Sequence, residues 1–219
     1  PYYTDTNGTT FPTYITTPNA PTLLSPSYGT TDITVNWQKP SSGNTTGYIV
    51  YLSTSSTFPS GSTQSATITS ANTTSKQFTN LTPGTLYYYK VYSYYIDDAN
   101  TATNGYSSKY TKCAAVTNFT ASATSNTSID VSWTGAAGNY SYYRIYYRKT
   151  SESNSSYVDV SKSETSKTLT GLSGGENYYI WVYTFGSGDY NYVLKSNVET
   201  YPNPVVNFSA EKDSGSNTN

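Results

Sequence analysis

The chain repeats itself, and that constrains its fold more than any other feature. Thr34-Val35-Asn36-Trp37 returns as Asp130-Val131-Ser132-Trp133, 96 positions on. Gly47-Tyr48-Ile49-Val50-Tyr51-Leu52 returns as Tyr142-Tyr143-Arg144-Ile145-Tyr146-Tyr147 after 95, and Leu81-Thr82-Pro83-Gly84-Thr85-Leu86-Tyr87 as Leu172-Ser173-Gly174-Gly175-Glu176-Asn177-Tyr178 after 91. A period of 91 to 96 residues is too long for a solenoid unit and fits one small sandwich domain, so two copies are expected.

Each copy alternates with period two, the mark of a strand with one buried face. In the first, Ile33, Val35 and Trp37, then Tyr48, Val50 and Leu52, then Tyr87, Tyr89, Val91 and Ser93 are expected to face inward. Asp32 to Trp37, Tyr48 to Leu52, Ala66 to Thr69, Ser75 to Phe78 and a strand from Tyr87 onward follow an opening strand at Thr22 to Leu24. Asn104-Gly105 predicts a tight turn before Tyr106 to Cys113, with Asp97-Asp98 in the preceding loop. The second copy repeats the plan with Ile129, Val131 and Trp133, then Tyr143, Ile145 and Tyr147, then Tyr178, Ile180, Val182 and Thr184. Val158 to Val160, Ser166 to Leu169 and Tyr192 to Val198 complete it. Seven short strands per copy make an all-β, two-sheet sandwich.

At these residues the chain resembles the fibronectin type III family. Trp37 and Trp133 stand in the second strand, Tyr48-Ile-Val-Tyr and Tyr143-Arg-Ile-Tyr-Tyr-Arg in the third, and Leu81-x-Pro-Gly-Thr-x-Tyr87 and Leu172-x-Gly-Gly-x-x-Tyr178 precede the sixth. The tyrosine of the last pair can fold its hydroxyl back onto the preceding corner and close the sandwich end. The resemblance implies tandem seven-stranded immunoglobulin-like sandwiches. It implies little about activity, because such domains serve as spacers, adhesive modules, receptor parts and enzyme appendages. Neither copy carries an Arg-Gly-Asp tripeptide, so receptor binding by that route has no support.

The chain divides into 1–18, 19–113, 114–202 and 203–219. Val205-Val206-Asn207-Phe208-Ser209-Ala210 matches Val116-Thr117-Asn118-Phe119-Thr120-Ala121, the opening strand of the second domain. Asn7-Gly8 followed by Phe11 to Thr17 matches Asn104-Gly105 followed by Ser107 to Cys113, a closing strand and its turn. Residues 1–18 therefore read as the closing strand of a preceding repeat or a strand exchanged between subunits, and 203–219 as the opening strand of a further repeat. A longer array and strand exchange both account for them.

Charge and chemistry exclude whole classes. Twelve Lys and Arg against thirteen acids give a net charge of −1, without the basic footprint that nucleic acid demands. No run has the length of a membrane span and none reads as a signal peptide, so the chain is expected to be mature or part of something longer. With no histidine there is no imidazole base and no serine triad of the usual kind. Cys113 is alone, so no internal disulfide forms, and it reads as a small buried hydrophobe near the domain junction. Asp97-Asp98 reads as a solvated turn, because calcium wants six or more oxygens from an alternating acidic loop. No catalytic residue, cofactor or metal site is expected.

Aromatic side chains are in excess, with 26 tyrosines. Strict alternation places Tyr51, Tyr88, Tyr92 and Tyr94 on the outer face of domain one, and Tyr142, Tyr146, Tyr179, Trp181 and Tyr183 on that of domain two. Such a stripe can stabilise its own sheet through cross-strand pairs, pack against another subunit or domain, or stack on sugar rings. Asn7, Asn44, Asn72, Asn80, Asn118, Asn126, Asn139, Asn154 and Asn207 each open an Asn-x-Ser/Thr acceptor for glycosylation. Chance would give about six of these nine in a chain with 71 Ser and Thr. The expected protein is an extracellular or cell-surface structural unit of a filament, surface layer or adhesin. Its expected partners are further copies of itself or neighbouring repeats, and glycans. A spacer or carbohydrate-binding appendage of a secreted enzyme is the alternative.

Overall fold

The computed structural model describes residues 2–4, 6–12, 18–95 and 97–206, apart from the side chains of 2–4, 10–12, 97–101 and 196. Strands β1 (Tyr2–Thr4) and β2 (Thr10–Pro12) form a hairpin of their own around Asn7-Gly8. Domain one contains β3 (Thr22–Tyr28), β4 (Ile33–Gln38), β5 (Gly47–Ser53), β6 (Thr63–Ile68), β7 (Ser75–Phe78), β8 (Leu86–Tyr95), β9 (Asp97–Ala102) and β10 (Ser107–Tyr110). Domain two contains β11 (Thr117–Ala123), β12 (Ser128–Thr134), β13 (Tyr142–Lys149), β14 (Ser156–Ser161), β15 (Ser166–Thr170), β16 (Asn177–Phe185) and β17 (Asn191–Glu199).

Each domain is a three-stranded sheet facing a larger one. In domain one the orders are β3-β4-β7 and β10-β8-β5-β6, with β9 also on β8; in domain two they are β11-β12-β15 and β14-β13-β16-β17. All named pairings are antiparallel, so consecutive side chains fall on opposite faces and the expected inward sets meet between the sheets. Ile33, Val35, Trp37, Tyr48, Val50 and Val91 are buried in one core, and Ile129, Val131, Trp133, Tyr143, Ile145 and Val182 in the other. Burying each such side chain stabilises the fold by about 1.5–3 kcal/mol. Trp37 tilts over Tyr48 at 5.1 Å between ring centres, and Trp133 meets Tyr143 edge-on at 5.2 Å, so each core is built around an equivalent Trp–Tyr pair.

The corner tyrosines do what their sequence position implies. The Tyr87 hydroxyl accepts from the Thr82 N–H at 3.0 Å, and that of Tyr178 from the Ser173 N–H at 2.9 Å. A buried threonine closes the same end of each unit. The Thr111 hydroxyl donates to the Thr82 carbonyl at 2.8 Å and accepts from the Thr85 N–H at 3.0 Å. Thr200 repeats this with the Ser173 carbonyl at 2.7 Å and the Glu176 N–H at 3.1 Å.

Two sequence expectations move. Asp97-Asp98 belongs to strand β9, paired with β8, and not to a loop. Asn104-Gly105 does not form the hairpin turn; it interrupts the closing strand. Ala102 pairs with Ser93 and Ser107 with Tyr89, which leaves one extra residue on the closing side, and Gly105 takes the positive φ of 94° that such a bulge needs. The Asn-Gly signal is shared by turns and bulges, because both require that conformation.

The domains meet through the end of β10 and two loops. The Asn139 N–H donates to the Pro83 carbonyl at 3.0 Å, and the Asn139 side-chain amide donates to the Thr85 hydroxyl at 2.9 Å. Cys113 N–H reaches the Asp189 carbonyl at 3.3 Å, and the Tyr28 hydroxyl reaches the Asp189 carboxylate at 3.3 Å. Gly84 and Gly138 lie at the tightest approach: a Cβ on Gly138 would stand 2.6 Å from the Pro83 carbonyl, and Gly84 has no room for one beneath the Asn139 carbonyl. Cys113 is buried here, as expected, and burial together with the Asp189 charge pushes its thiol pKa up.

Candidate functional site

The outer face of the β14-β13-β16-β17 sheet is the densest aromatic surface among the described residues. Register sets its rows. Tyr157, Tyr146, Trp181 and Leu194 lie opposite one another across the four strands, and Asp159, Arg144, Tyr183 and Tyr192 form the next row. Tyr142 faces Phe185, and Arg148 faces Tyr179. Because outward residues on neighbouring strands stand side by side, the rings touch. Tyr183 stacks on Tyr192 at 4.7 Å and meets Tyr146 edge-on at 5.1 Å, while Tyr142 stacks on Phe185 at 5.3 Å. Tyr190, from the loop before β17, adds a ring 5.5 Å from Tyr183.

Two cations are threaded between these rings. The Arg144 guanidinium lies 4.2 Å from the centre of Tyr157 and 5.5 Å from that of Phe185. It also holds Asp159 in a bidentate pair, at 2.6 Å from Nε and 2.9 Å from the other nitrogen. That pairing pulls the Asp159 carboxyl below its ordinary value and raises Arg144 above its own. Arg148 lies 5.2 Å from Tyr179 and 5.7 Å from Trp181 and donates to the Glu152 carbonyl. Burial among Tyr192, Tyr190 and Tyr146 raises the Tyr183 pKa. Tyr146, Arg148, Trp181, Tyr183, Phe185 and Tyr190, with Ser153 and Ser155, line an open concavity of about 490 Å³ on this face.

Domain one carries a smaller version. Tyr51 and Tyr92 meet edge-on at 5.8 Å on either side of Lys90, whose ammonium lies 5.2 Å from each ring and 4.3 Å from Phe58. Tyr88 meets Tyr106 at 5.7 Å. Tyr51, Tyr88 and Tyr92 are half-buried on the outer face, as alternation requires. Tyr94 is not available there: it is only 6% exposed. Its partner across the ladder is Gly47, which presents no side chain, so the ring folds down over the backbone and its hydroxyl donates to the Ile68 carbonyl at 3.3 Å. Alternation gives the face of a side chain, not the height of its neighbour.

In domain two Tyr142, Tyr146, Tyr179, Trp181 and Tyr183 all join one cluster, half-buried. The sequence reading missed Tyr157, Phe185, Tyr190 and Tyr192. Tyr157 and Phe185 follow from extending the same alternation by one strand and two residues. Tyr190 sits in a loop, and no periodic signal finds it.

The acceptor asparagines differ in what their side chains do. Asn72, Asn80 and Asn154 are exposed between strands. Asn118, Asn126 and Asn139 each donate from the side-chain amide, to Thr134 at 3.1 Å, Asn203 at 3.1 Å and Thr85 at 2.9 Å. Asn7 and Asn44 are exposed and hold other contacts, and Asn207 lies outside the described residues. Among the described residues no group of three or more His, Cys, Asp or Glu comes together, and no helix is long and apolar enough to cross a membrane.

Comparison with known proteins agrees with this architecture. The chain is 27% identical over 205 residues to the receptor-type tyrosine-protein phosphatase eta of Gallus gallus; this covers 92% of the chain but only 14% of that protein's length. A two-domain fibronectin type III segment of chicken tenascin superposes with a TM-score of 0.58 at 19% identity, covering 82% of this chain and 98% of the segment. The FN1–FN3 domains of chicken CNTN1 give a TM-score of 0.37 at 21% identity over 83% of this chain and 66% of theirs. The fibronectin type III domain profile matches residues 19–109 and again 114–197, and the chain therefore belongs to the fibronectin type III family as a tandem pair.

Proposed function

We propose that this tandem pair is a non-catalytic structural unit of an extracellular filament, surface layer or adhesin, and that it assembles laterally through the outer face of domain two. The supporting observation is the cluster around Tyr183, whose outlying rings Tyr157, Tyr190 and Tyr192 remain 56%, 50% and 47% exposed beside few charges. Contiguous aromatic surface of this kind marks contact sites, and tyrosine brings large area with little conformational entropy to lose. The Arg144 charge is matched by Asp159, and the Arg148 guanidinium, though still charged, is occupied by the Glu152 carbonyl and its neighbouring rings, so the face suits another aromatic or hydroxyl-rich surface. Placement outside the cell is supported by the likeness to a receptor-type protein and by the exposed acceptors Asn72, Asn80 and Asn154.

Replacing Tyr183 and Tyr192 together by Ser is expected to abolish assembly seen by electron microscopy and sedimentation, while Tyr51→Ser with Tyr92→Ser leaves it in place. Assembly unchanged by the domain-two pair would reduce the cluster to sheet stabilisation. The concavity beside Trp181 favours a second reading, a platform for sugar rings in an appendage of a secreted enzyme. Titration with oligosaccharides while following Trp181 fluorescence separates the two, since Trp37 and Trp133 are buried.

A further inference from the structure

We propose that the corner Ser173–Gly175, with the segment that follows Thr200, is one half of a second inter-unit joint, and that its occupant is the Gly-Asn loop of a following fibronectin type III unit in the same polypeptide. The proposal rests on reading the chain as part of a tandem array, and it specifies how neighbouring units are held.

The first joint supplies the pattern. Gly84 N–H donates to the Lys112 carbonyl at 3.0 Å, Thr111 locks the corner from within, and Gly138-Asn139 of the next unit closes onto Pro83-Gly84. The corner half recurs at the far end of domain two. Gly175 N–H donates to the Tyr201 carbonyl at 2.9 Å, and Thr200 is the lock. Gly175 has a φ of +69° against +62° at Gly84, yet where Gly84 is covered by the Asn139 carbonyl, the nearest atom to a Cβ on Gly175 is the Pro202 Cα at 3.9 Å.

The chain beyond the two locks is also in register. Val116 follows Thr111 by five residues and is 1% exposed in the core of domain two; Val205 follows Thr200 by five and stands 81% exposed, with Val206 at 77%. Two adjacent valines so placed are the opening of a strand whose core is another unit's. The matching loop is a property of each unit: Gly43-Asn44 and Gly138-Asn139 occupy the same place, with φ of +83° and +78° at the glycines. One bond cannot recur. Pro202 has no N–H where Cys113 donates to Asp189, so the second joint keeps the orientation of the first with a somewhat wider spread.

The probe is a three-unit chain in which residues 118–202 are appended after Val206 of the intact chain. Spin labels at Gln77→Cys and Thr168→Cys, equivalent exposed positions of β7 and β15, report the first joint, and labels at Thr168→Cys and its appended counterpart report the second. Buried Cys113 stays unlabelled. Pulsed electron paramagnetic resonance is expected to give matching mean distances. Gly175→Asn, a residue that accepts positive φ, is expected to leave the two-unit chain's urea midpoint unchanged and to shift the second distance. A second distribution as broad as that of a control joined by a Gly-Ser linker, or one indifferent to Gly175→Asn, overturns the proposal. If the appended unit does not fold, residues 20–113 appended after Asn203 replace it, with Cys113→Ser in the appended copy and the label at its Gln77→Cys, and the same two outcomes apply. The corner lies away from Tyr183 and Tyr192, so failure of lateral assembly leaves this result intact and failure here leaves lateral assembly intact.

Discussion

At the start of the third strand domain one has Gly47 and domain two has Tyr142, and the two outer faces diverge from there. Opposite Gly47 the ring of Tyr94 lies flat and is buried; opposite Tyr142 the ring of Phe185 stands up and stacks at 5.3 Å. Once one pair stands, Tyr183, Tyr192 and Tyr190 can pack beside it, and the cluster spreads across the sheet. Domain one stops at Tyr51, Tyr92 and Phe58 around a single lysine. The cores barely differ. Surface chemistry in this pair of units is thus set by a residue's partner across the ladder more than by its own identity.

If the cores are equivalent, their central tryptophans should be too. Trp37→Ala and Trp133→Ala are each expected to cost about 3–5 kcal/mol, read as the loss of one of two urea transitions. Markedly unequal losses would break the comparison at its base. A smaller effect tests the divergence itself. Gly47→Ala drives a methyl against the Ile68 carbonyl and the Tyr94 ring, so domain one should lose about 1–3 kcal/mol. Tyr142→Ala removes one stacked pair and should cost domain two about 0.5–1.5 kcal/mol in the same denaturation series.

The smallest effect is confined to alkaline pH. In domain two the Tyr143 hydroxyl donates to that of Tyr140 at 2.7 Å, and burial with this contact raises Tyr140 from 10.0 to about 12. Domain one has Thr45 in that place. A folded pKa raised above the unfolded one contributes stability below pH 10 that is lost as pH climbs toward about 12. Tyr140→Phe should flatten domain two's share of that decline in chemical denaturation at pH 9 to 12. An unaltered slope would show that another tyrosine of domain two, such as Tyr183, carries the dependence.

Much of this was legible beforehand, for definable reasons. Inward alternation, the paired Trp37 and Trp133, and the corner tyrosines depend on local period and spacing, which sequence states outright. Tyr94 depended on what Gly47 lacks, and Gly47 is 47 residues away along the chain. The role of Asn104-Gly105 depended on whether the strand resumed on the same partner, which only pairing decides. Tyr190, Phe58 and Tyr106 reach their clusters from irregular segments, where no periodicity fixes direction.

The lone thiol of Cys113 turns the first junction into its own reporter. It is fully enclosed, and a Cβ on Gly186 of the second unit would stand 2.8 Å from its sulfur. An alkylating reagent can reach it only while the units are parted. Labelling that is slow compared with reclosing therefore measures how often the hinge swings open, as amide exchange measures local unfolding, and a pull along the chain axis would register as faster chemistry at one sulfur.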